Sequence, residues 1–373
     1  MDKNKVIKKF LQNIFKKISY YIFLKIYGRI EKSIKSNSDK RIFIADANFE
    51  GELKYKVYKI DRGRLYTDRI QDAAVILDNK IIEGPSFQLR KNNNSIIADN
   101  VVFEKGTPRI IKKLDGTVLS LLTGGGGNEN YWHWLYDVLP RLEICNKEIK
   151  LEKIDYFLLP SLKKKFQIDT LKQLNIYNKK ILSSEEFRHI STKELIVTDH
   201  PYMRTNNAHE DSQNIPKWIT DWLKKKFLID AEKNEKKYPK NIYIDRNGSN
   251  SKNESFRSVI NEDEIKNYLI KKNFQLIRLH EMDFLDQVQI FNNAEYIIGL
   301  HGAGFANLSF CKRDTKIIEF RTERTGKMYE NLAKLNNLKF GAIICKPISH
   351  DYSKQSGHIE VPLNILEKKL QDV

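Results

Sequence analysis

The chain has 373 residues, of which 40% are apolar, 30% charged and 11% aromatic. This balance supports about two folded domains and excludes disordered, collagen-like and disulfide-scaffold classes. The three cysteines, Cys145, Cys311 and Cys345, are far apart and include no C-x-x-C pair, so neither a zinc knuckle nor a disulfide framework is expected, and a reducing cytosol fits.

The formal net charge is +17, and residues 1–41 hold twelve basic against three acidic residues. Within residues 1–30, Ile7, Phe10, Leu11, Ile14, Phe15, Ile18, Ile22 and Ile26 recur at helical spacing, with Lys8, Lys9, Lys16 and Lys17 between them. That pattern predicts a basic amphipathic helix. Its longest apolar run, Ile18 to Leu24, falls well short of the roughly 20 residues a bilayer span needs, and no small-residue cleavage site follows it. The expectation is a helix lying on an anionic membrane surface. The alternatives are a solvated helix packed on its own domain and a nucleic-acid contact, for which no recognised motif is present.

From residue 42 to about 125 the chain reads as short strands, among them Ile42–Ala45, a hairpin of Ala74–Leu77 and Ile81–Ile82 across Asp78-Asn79, and Val118–Leu122. The glycine run 124–127 breaks this pattern. Mixed signals follow, with apolar runs 157–159 and 195–197 and a Trp-bearing helix near 218–227. The Lys/Glu-rich stretch 230–240 reads as a linker.

Beyond it the pattern is regular. Strand 242–245 precedes a helix at 262–271, strand 274–278 a helix at 286–292, strand 296–299 a Gly-rich loop and short helix, and strand 316–320 closes the series. Strands alternating with helices imply a parallel, Rossmann-like sheet, whose ligands bind beyond the carboxyl ends of the strands.

Those strand ends carry polar residues. After the third strand comes Gly299-Leu-His301-Gly302-Ala303-Gly304-Phe-Ala-Asn307, a loop suited to close approach of a phosphate, with His301 as an added donor. It departs from G-x-G-x-x-G at Asn307, and a tight turn without ligand stays open. After the first strand come Arg246 and Arg257, which suit a diphosphate because guanidinium binds phosphate through two hydrogen bonds. In the fourth strand Glu319 is placed to accept from a ribose, or else to pair with Arg321. No D-x-D triplet occurs, so charge neutralisation falls to the arginines and loop amides, and no metal is expected.

A second constellation is Asn130-Tyr-Trp-His133-Trp-Leu-Tyr-Asp137-Val-Leu-Pro140-Arg141. His133, Asp137 and Arg141 share one helical stripe, so Asp137 can orient His133 and raise its basicity, making a candidate general base. Trp132, Leu135 and Leu139 form a separate stripe that reads as core. A purely structural His–Asp pair stays open.

Taken in order, N-Y-W-H-W-L-Y-D-V-L-P-R-L at 130–142, R-N-G-S-N-S-K-N-E-S-F-R-S-V-I-N-E-D-E-I at 246–265, D-Q-V-Q-I-F-N-N-A-E-Y-I-I-G-L-H-G-A-G-F-A-N-L at 286–308 and I-I-E-F at 317–320 resemble glycosyltransferase family 61. The resemblance implies an α/β chain of GT-B type, with two Rossmann-like domains, a cleft between them and the amphipathic helix added at the amino end. Together with the basic helix and the linker read above, it gives 1–41 as the membrane-associating helix, 42–230 as an acceptor-side domain, 231–345 as the nucleotide-sugar domain and 346–373 as a tail returning to the acceptor side. It implies inverting, metal-independent transfer from a nucleotide sugar, UDP-linked, with no other cofactor. Arg246, Arg257, His301, Gly302, Ala303, Gly304, Asn307 and Glu319 would hold the donor, and His133 with Asp137 would face the acceptor.

No signal segment or membrane anchor of the kind the lumenal relatives carry is read, which directs the expectation to members that look like bacterial capsular or surface polysaccharide enzymes. Such an enzyme would sit in the cytoplasm, peripheral on the inner face of the cell membrane through residues 1–30, extending a surface polysaccharide or lipid-linked glycan. Nucleic acid is not expected as a partner. The rival reading is a non-catalytic protein of the same fold that binds a nucleotide sugar or glycan.

Overall fold

The computed structural model describes residues 3–69, 71–89, 96–122, 129–205, 207–232, 236–248, 257–348 and 357–372. The glycine run 124–127 and residues 249–256 lie outside them. The chain is α/β and forms two compact units, Met1–Lys164 with Tyr177–His209, and Lys165–Ile176 with Glu210–Val373.

In the first unit the short strands read from the sequence become sheet. β1 (Lys32–Ile34), β2 (Ile42–Asn48), β3 (Lys54–Asp61), β4 (Arg64–Thr67), β5 (Asp72–Leu77), β6 (Lys80–Ile82) and β7 (Phe87–Gln88) are joined by β8 (Lys112–Ser120), β9 (Tyr156–Leu159), β10 (Lys180–Ser183) and β11 (His189–Thr198). The β5–β6 hairpin turns at Asp78 (φ 47°) and Asn79 (φ 55°). Asp and Asn tolerate that left-handed backbone, which matches the twist of the flanking strands. Every residue of β5 is buried: Ala73, Val75 and Leu77 enter the core with Ile60, Val118 and Leu195, while Ala74 and Ile76 meet Ile30 and Val102 on the opposite face.

This sheet is mixed. β2 to β7 pair antiparallel, whereas β11, β8, β9 and β10 lie side by side, parallel, in that spatial order. The chain starts at β8, moves outward through β9 and β10, then crosses back to place β11 on the other side of β8. A reversal of direction of this kind is a topological switch point, which in open α/β sheets is where ligands bind.

The second unit carries a five-stranded parallel sheet, in the order β13 (Gln275–Ile277), β12 (Asn241–Ile244), β14 (Tyr296–Leu300), β15 (Lys316–Thr322) and β16 (Lys339–Cys345). The strands read as near-continuous apolar runs because helices cover them. Ile265 and Leu269 of helix Glu262–Lys271, with Leu366 of helix Leu363–Asp372, pack on Tyr243, Ile298, Ile318 and Ile343. Helix Glu262–Lys271 has the limits its sequence predicts, with three acids in its first turn and Lys271 in its last, in line with the helix dipole. The switch point here lies between β12 and β14.

Several sequence boundaries move. The expected 42–230 domain ends earlier, because helix Lys217–Glu232 belongs to the second unit, where Phe227 meets Phe284 edge-on at 4.8 Å. Helix Lys165–Gln173 joins the same unit. Residues 236–240 are no loose linker: Lys236 and Tyr238 bond Asp286, and Asn293 donates to the Tyr238 carbonyl. The described part of the expected 346–373 tail belongs to the second unit, where Ile359, Val361 and Leu366 complete the core. At the amino end, Ile30 and β1 are built into the first unit, so only Lys3–Tyr27 forms the amphipathic helix. No helix of the described residues is long and apolar enough to cross a membrane.

Candidate active site

In the second unit, Arg246 follows β12 and His301 follows β14, the two strands flanking the switch point. The Arg246 guanidinium donates to the His301 carbonyl at 3.1 Å and lies 3.5 Å from where a Cβ on Gly302 would stand. Glycine thus keeps the backbone bare beside the guanidinium. Gly304 answers to a different need: a Cβ there would meet Leu279 at 2.8 Å, so its smallness serves packing. The segment Ala303–Phe310 is a 3₁₀ helix rather than an α-helix. Asn307 is fully buried and bonds Gln287 and the Gly304 carbonyl, so it braces the loop from inside. Ala303 is partly exposed beside it.

His301 is buried, and its Nδ1 lies 2.5 Å from Glu319 Oε1. The carboxylate accepts Nδ1–H, which leaves Nε2 as the free nitrogen. Glu319 is wholly buried, and its other oxygen accepts from Arg321 at 3.2 Å, while Arg321 also bonds Glu330. Both carboxylate oxygens are thus engaged within the protein: of the two readings the sequence leaves for Glu319, the pairing with Arg321 is present, and Glu319 is also the orienting partner of His301. The Tyr329 ring lies 4.8 Å from that of His301.

Burial lowers the His301 pKa, Glu319 opposes this, and the charges of Arg257 and Arg246 lower it further. His301 is therefore neutral at pH 7. Burial and then the like charge of Arg246 push Arg257 down to about 10. Two guanidiniums that repel one another beside a neutral imidazole make a site whose charge is relieved by an anion. A small crevice beside it is lined by Arg246, Asn247, Arg257 and Ser258, with the acid Glu262 also on its wall.

In the first unit, His133 and Asp137 follow β8 in sequence and are held by a distorted helix. Asn130 caps it, its side chain accepting from Trp132 N–H at 2.9 Å. Residues Trp134–Val138 then form a π-helical turn in which Leu139 N–H reaches back to Trp134 O. Pro140 explains the widening: it has no N–H, and its ring would crowd the carbonyl four residues earlier. Trp132, Leu135 and Leu139 are all core, as their stripe predicts.

His133 Nδ1 lies 2.7 Å from Asp137 Oδ2. Asp137 is fully buried, whereas the His133 side chain is 28% exposed, so its Nε2 side stays reachable. Burial works against charge on His133, but Asp137 outweighs it and raises the pKa. Burial likewise favours a neutral Asp137, yet His133 and then His200 hold its carboxyl well below the usual carboxylate range. Arg141 is buried, donating to the Asp137 and Thr198 carbonyls, so its hydrogen bond to Asp137 is to the backbone rather than to the carboxylate.

Sequence reasoning missed His200. It stands two residues past β11, the strand flanking the first switch point, with Nε2 facing Asp137 Oδ2 at 3.6 Å. Its Nδ1 accepts the N–H groups of Tyr202 and Met203 at 3.3 and 3.0 Å, which places its proton on Nε2, toward the carboxylate. Burial lowers its pKa, so it stays neutral. The signal was a histidine at the carboxyl end of the apolar run 195–197, where the strand-end rule applies as it does to Arg246.

The Glycosyltransferase 61 family model matches residues 131–318, a stretch that includes the His133–Asp137 pair, both arginines and the His301 loop. The mouse EGF domain-specific O-linked N-acetylglucosamine transferase is 29% identical over 108 residues, covering 28% of this chain and 20% of the mouse protein. The Drosophila melanogaster protein of the same name is 30% identical over 93 residues, covering 24% of this chain and 18% of its own length. The chain thus matches about a fifth of the length of these relatives.

Proposed function

The chain belongs to glycosyltransferase family 61, and on that premise we propose that it moves a sugar from a UDP-linked donor to a hydroxyl of a surface polysaccharide or lipid-linked glycan, inverting the anomeric centre without a metal. That it is a glycosyltransferase follows from the family; donor, acceptor, stereochemistry and the GT-B assignment are part of the proposal. The observation that carries it is the 2.7 Å bond between a reachable His133 and a fully buried, ionised Asp137. Such a pair leaves one basic nitrogen free for an acceptor proton.

In this reading His133 Nε2 takes the proton of the acceptor hydroxyl. The oxygen attacks the anomeric carbon from the face opposite the diphosphate, and the bond to the diphosphate oxygen breaks. Arg246 and Arg257 stabilise the charge that develops on the leaving group. His301, its Nδ1–H fixed on Glu319, offers Nε2 to a phosphate once it takes up a proton. Asn307 and Gly304 support the loop rather than touch the donor. The relatives' names make an N-acetylglucosamine donor the first to test.

The helix Lys3–Tyr27 supports attachment to the inner face of the cell membrane, because it leaves Phe10, Leu11, Phe15 and Ile18 more than half exposed on a basic helix. The test is binding and slow hydrolysis across UDP-, GDP- and CMP-sugars in EDTA, with Arg257→Ala as control. Turnover of one donor, lost in the control, supports the transferase. Binding without turnover, unchanged by His133→Ala, supports the non-catalytic rival, and silence from folded protein refutes the donor assignment.

A further inference from the structure

Within the first unit a groove of about 1300 Å³ runs between the amino-terminal helix and residues 104–109. Its walls are mainly apolar: Phe10, Ile14 and Phe15 on the helix side, Tyr66 and Pro108 opposite. Phe10 is 64% and Phe15 73% exposed, an extent of uncovered aromatic surface that water does not favour. Lys16, Lys17, Lys105 and Arg109 also border it, against the single acid Glu104.

Charged residues of both signs lie behind the Tyr66 wall. Tyr66 pairs across the sheet with His189, and Arg64, two residues earlier, lies on the same face of β4. Among the described residues no carboxylate forms a direct ion pair with Arg64, Arg109 or Arg188, although the charge of Asp68 acts on Arg188, and the buried Nε and Nη2 of Arg64 have no hydrogen-bond partner. Burial pushes the Tyr66 hydroxyl up to about 12, and the charges of Arg109, Asp68, Arg188 and Asp72 act on it from nearby. A guanidinium buried without a counter-charge is costly unless an anion arrives.

We propose that this groove holds one anionic phospholipid, its acyl chain along Phe10, Ile14 and Phe15 and its phosphate on Arg109 and the neighbouring lysines. The site would fix the enzyme to a particular lipid class rather than to a surface in general. Charge selects the occupant: a second copy of a chain with net charge +17 would bring more positive charge to a positive rim, and a nucleic acid would leave the apolar walls uncovered. The inference rests on the reading of the helix as membrane-facing.

The test uses the full chain with phosphatidylcholine vesicles doped either with a phosphatidylglycerol carrying a photoreactive acyl chain or with the zwitterionic equivalent. Labelled peptides are mapped by mass spectrometry and normalised to the protein that floats with the vesicles. Labels are expected on residues 10–20 and also on 64–68 or 105–110, with the anionic lipid only. Arg109→Gln and Lys16→Gln, both at exposed positions, should each lower the labelling roughly five-fold.

Flotation with labels confined to the helix would overturn the groove while sparing the membrane reading. Equal labelling by the zwitterionic lipid would overturn the phosphate assignment. Absence of flotation would overturn the membrane reading and this inference together. A concentration-dependent dimer that shields residues 105–110 would identify a second copy as the occupant and refute the lipid.

Discussion

Asp137→Asn removes one charge from the base assembly while keeping its shape. The lost interaction is a charge-assisted hydrogen bond of 2.7 Å to a carboxylate with no exposure to water, a class worth about 1.5–3 kcal/mol. If the bond serves to make His133 a better base, kcat falls roughly ten- to hundred-fold, while KM for the donor stays the same. The pH profile carries the sharper signature. Asp137 raises the His133 pKa, and the base works only when neutral, so the wild-type rate climbs as pH rises through that raised value. In the Asn variant the acid limb moves to lower pH.

The pair also contributes to stability, with opposite signs for its two members. The depressed Asp137 stabilises the fold above the ordinary carboxylate range and loses that contribution as pH falls. The raised His133 contributes most below the ordinary histidine value and loses its share as pH climbs through the raised one. The assay is UDP release during donor hydrolysis, with kcat and KM measured from pH 5 to 9 and donor affinity by calorimetry. A kcat within about two-fold of wild type, with an unmoved acid limb, would show the His–Asp pair to be structural and refute the argument.

The other predictions concern the positioning of both assemblies. His200→Phe removes the Nε2–H that faces Asp137 at 3.6 Å; the carboxylate then acts on His133 alone, and the acid limb should move to higher pH, opposite to Asp137→Asn, as read in the same assay. Glu319→Gln takes the counter-charge from buried Arg321 and leaves one amide oxygen where two carboxylate oxygens accept from His301 and Arg321. It should cost about 3 kcal/mol, because Glu330 still pairs with Arg321, lowering the melting temperature by roughly 6–12 °C and weakening UDP binding in calorimetry. Since His301 is neutral and a phosphate favours its charged form, UDP should bind more tightly at pH 6 than at pH 8, with proton uptake visible as a dependence of binding enthalpy on the buffer. Arg257→Ala should raise the UDP dissociation constant roughly ten- to hundred-fold and leave the His133 pH limb in place.

Local periods carry much of this protein. The apolar run of 74–77, the Asp78-Asn79 turn, the acids opening helix Glu262–Lys271 and the order of strands and helices from 242 to 320 are readable because each depends on residues a few positions apart. The His133–Asp137 spacing is local in the same way, and so is the run of glycines around His301. Ordered along the chain, these motifs also suffice to indicate the family.

Tertiary structure decided what depends on distant partners. His200 joins Asp137 only because β11 returns to the side of β8, and β14 reaches β12 only by a similar return in the second sheet. Glu319 takes the Arg321 pairing the sequence left open and gains His301 besides because β14 lies beside β15, and Asn307 turned inward because Gln287 waits on another helix. The unit boundary moved to Glu210 because the helix Lys217–Glu232 buries its aromatic face against Phe284. A single sequence specifies which side chains want burial or an ion partner. Which partner meets them is set by strand crossovers that bring together residues tens of positions apart, and no local period records that.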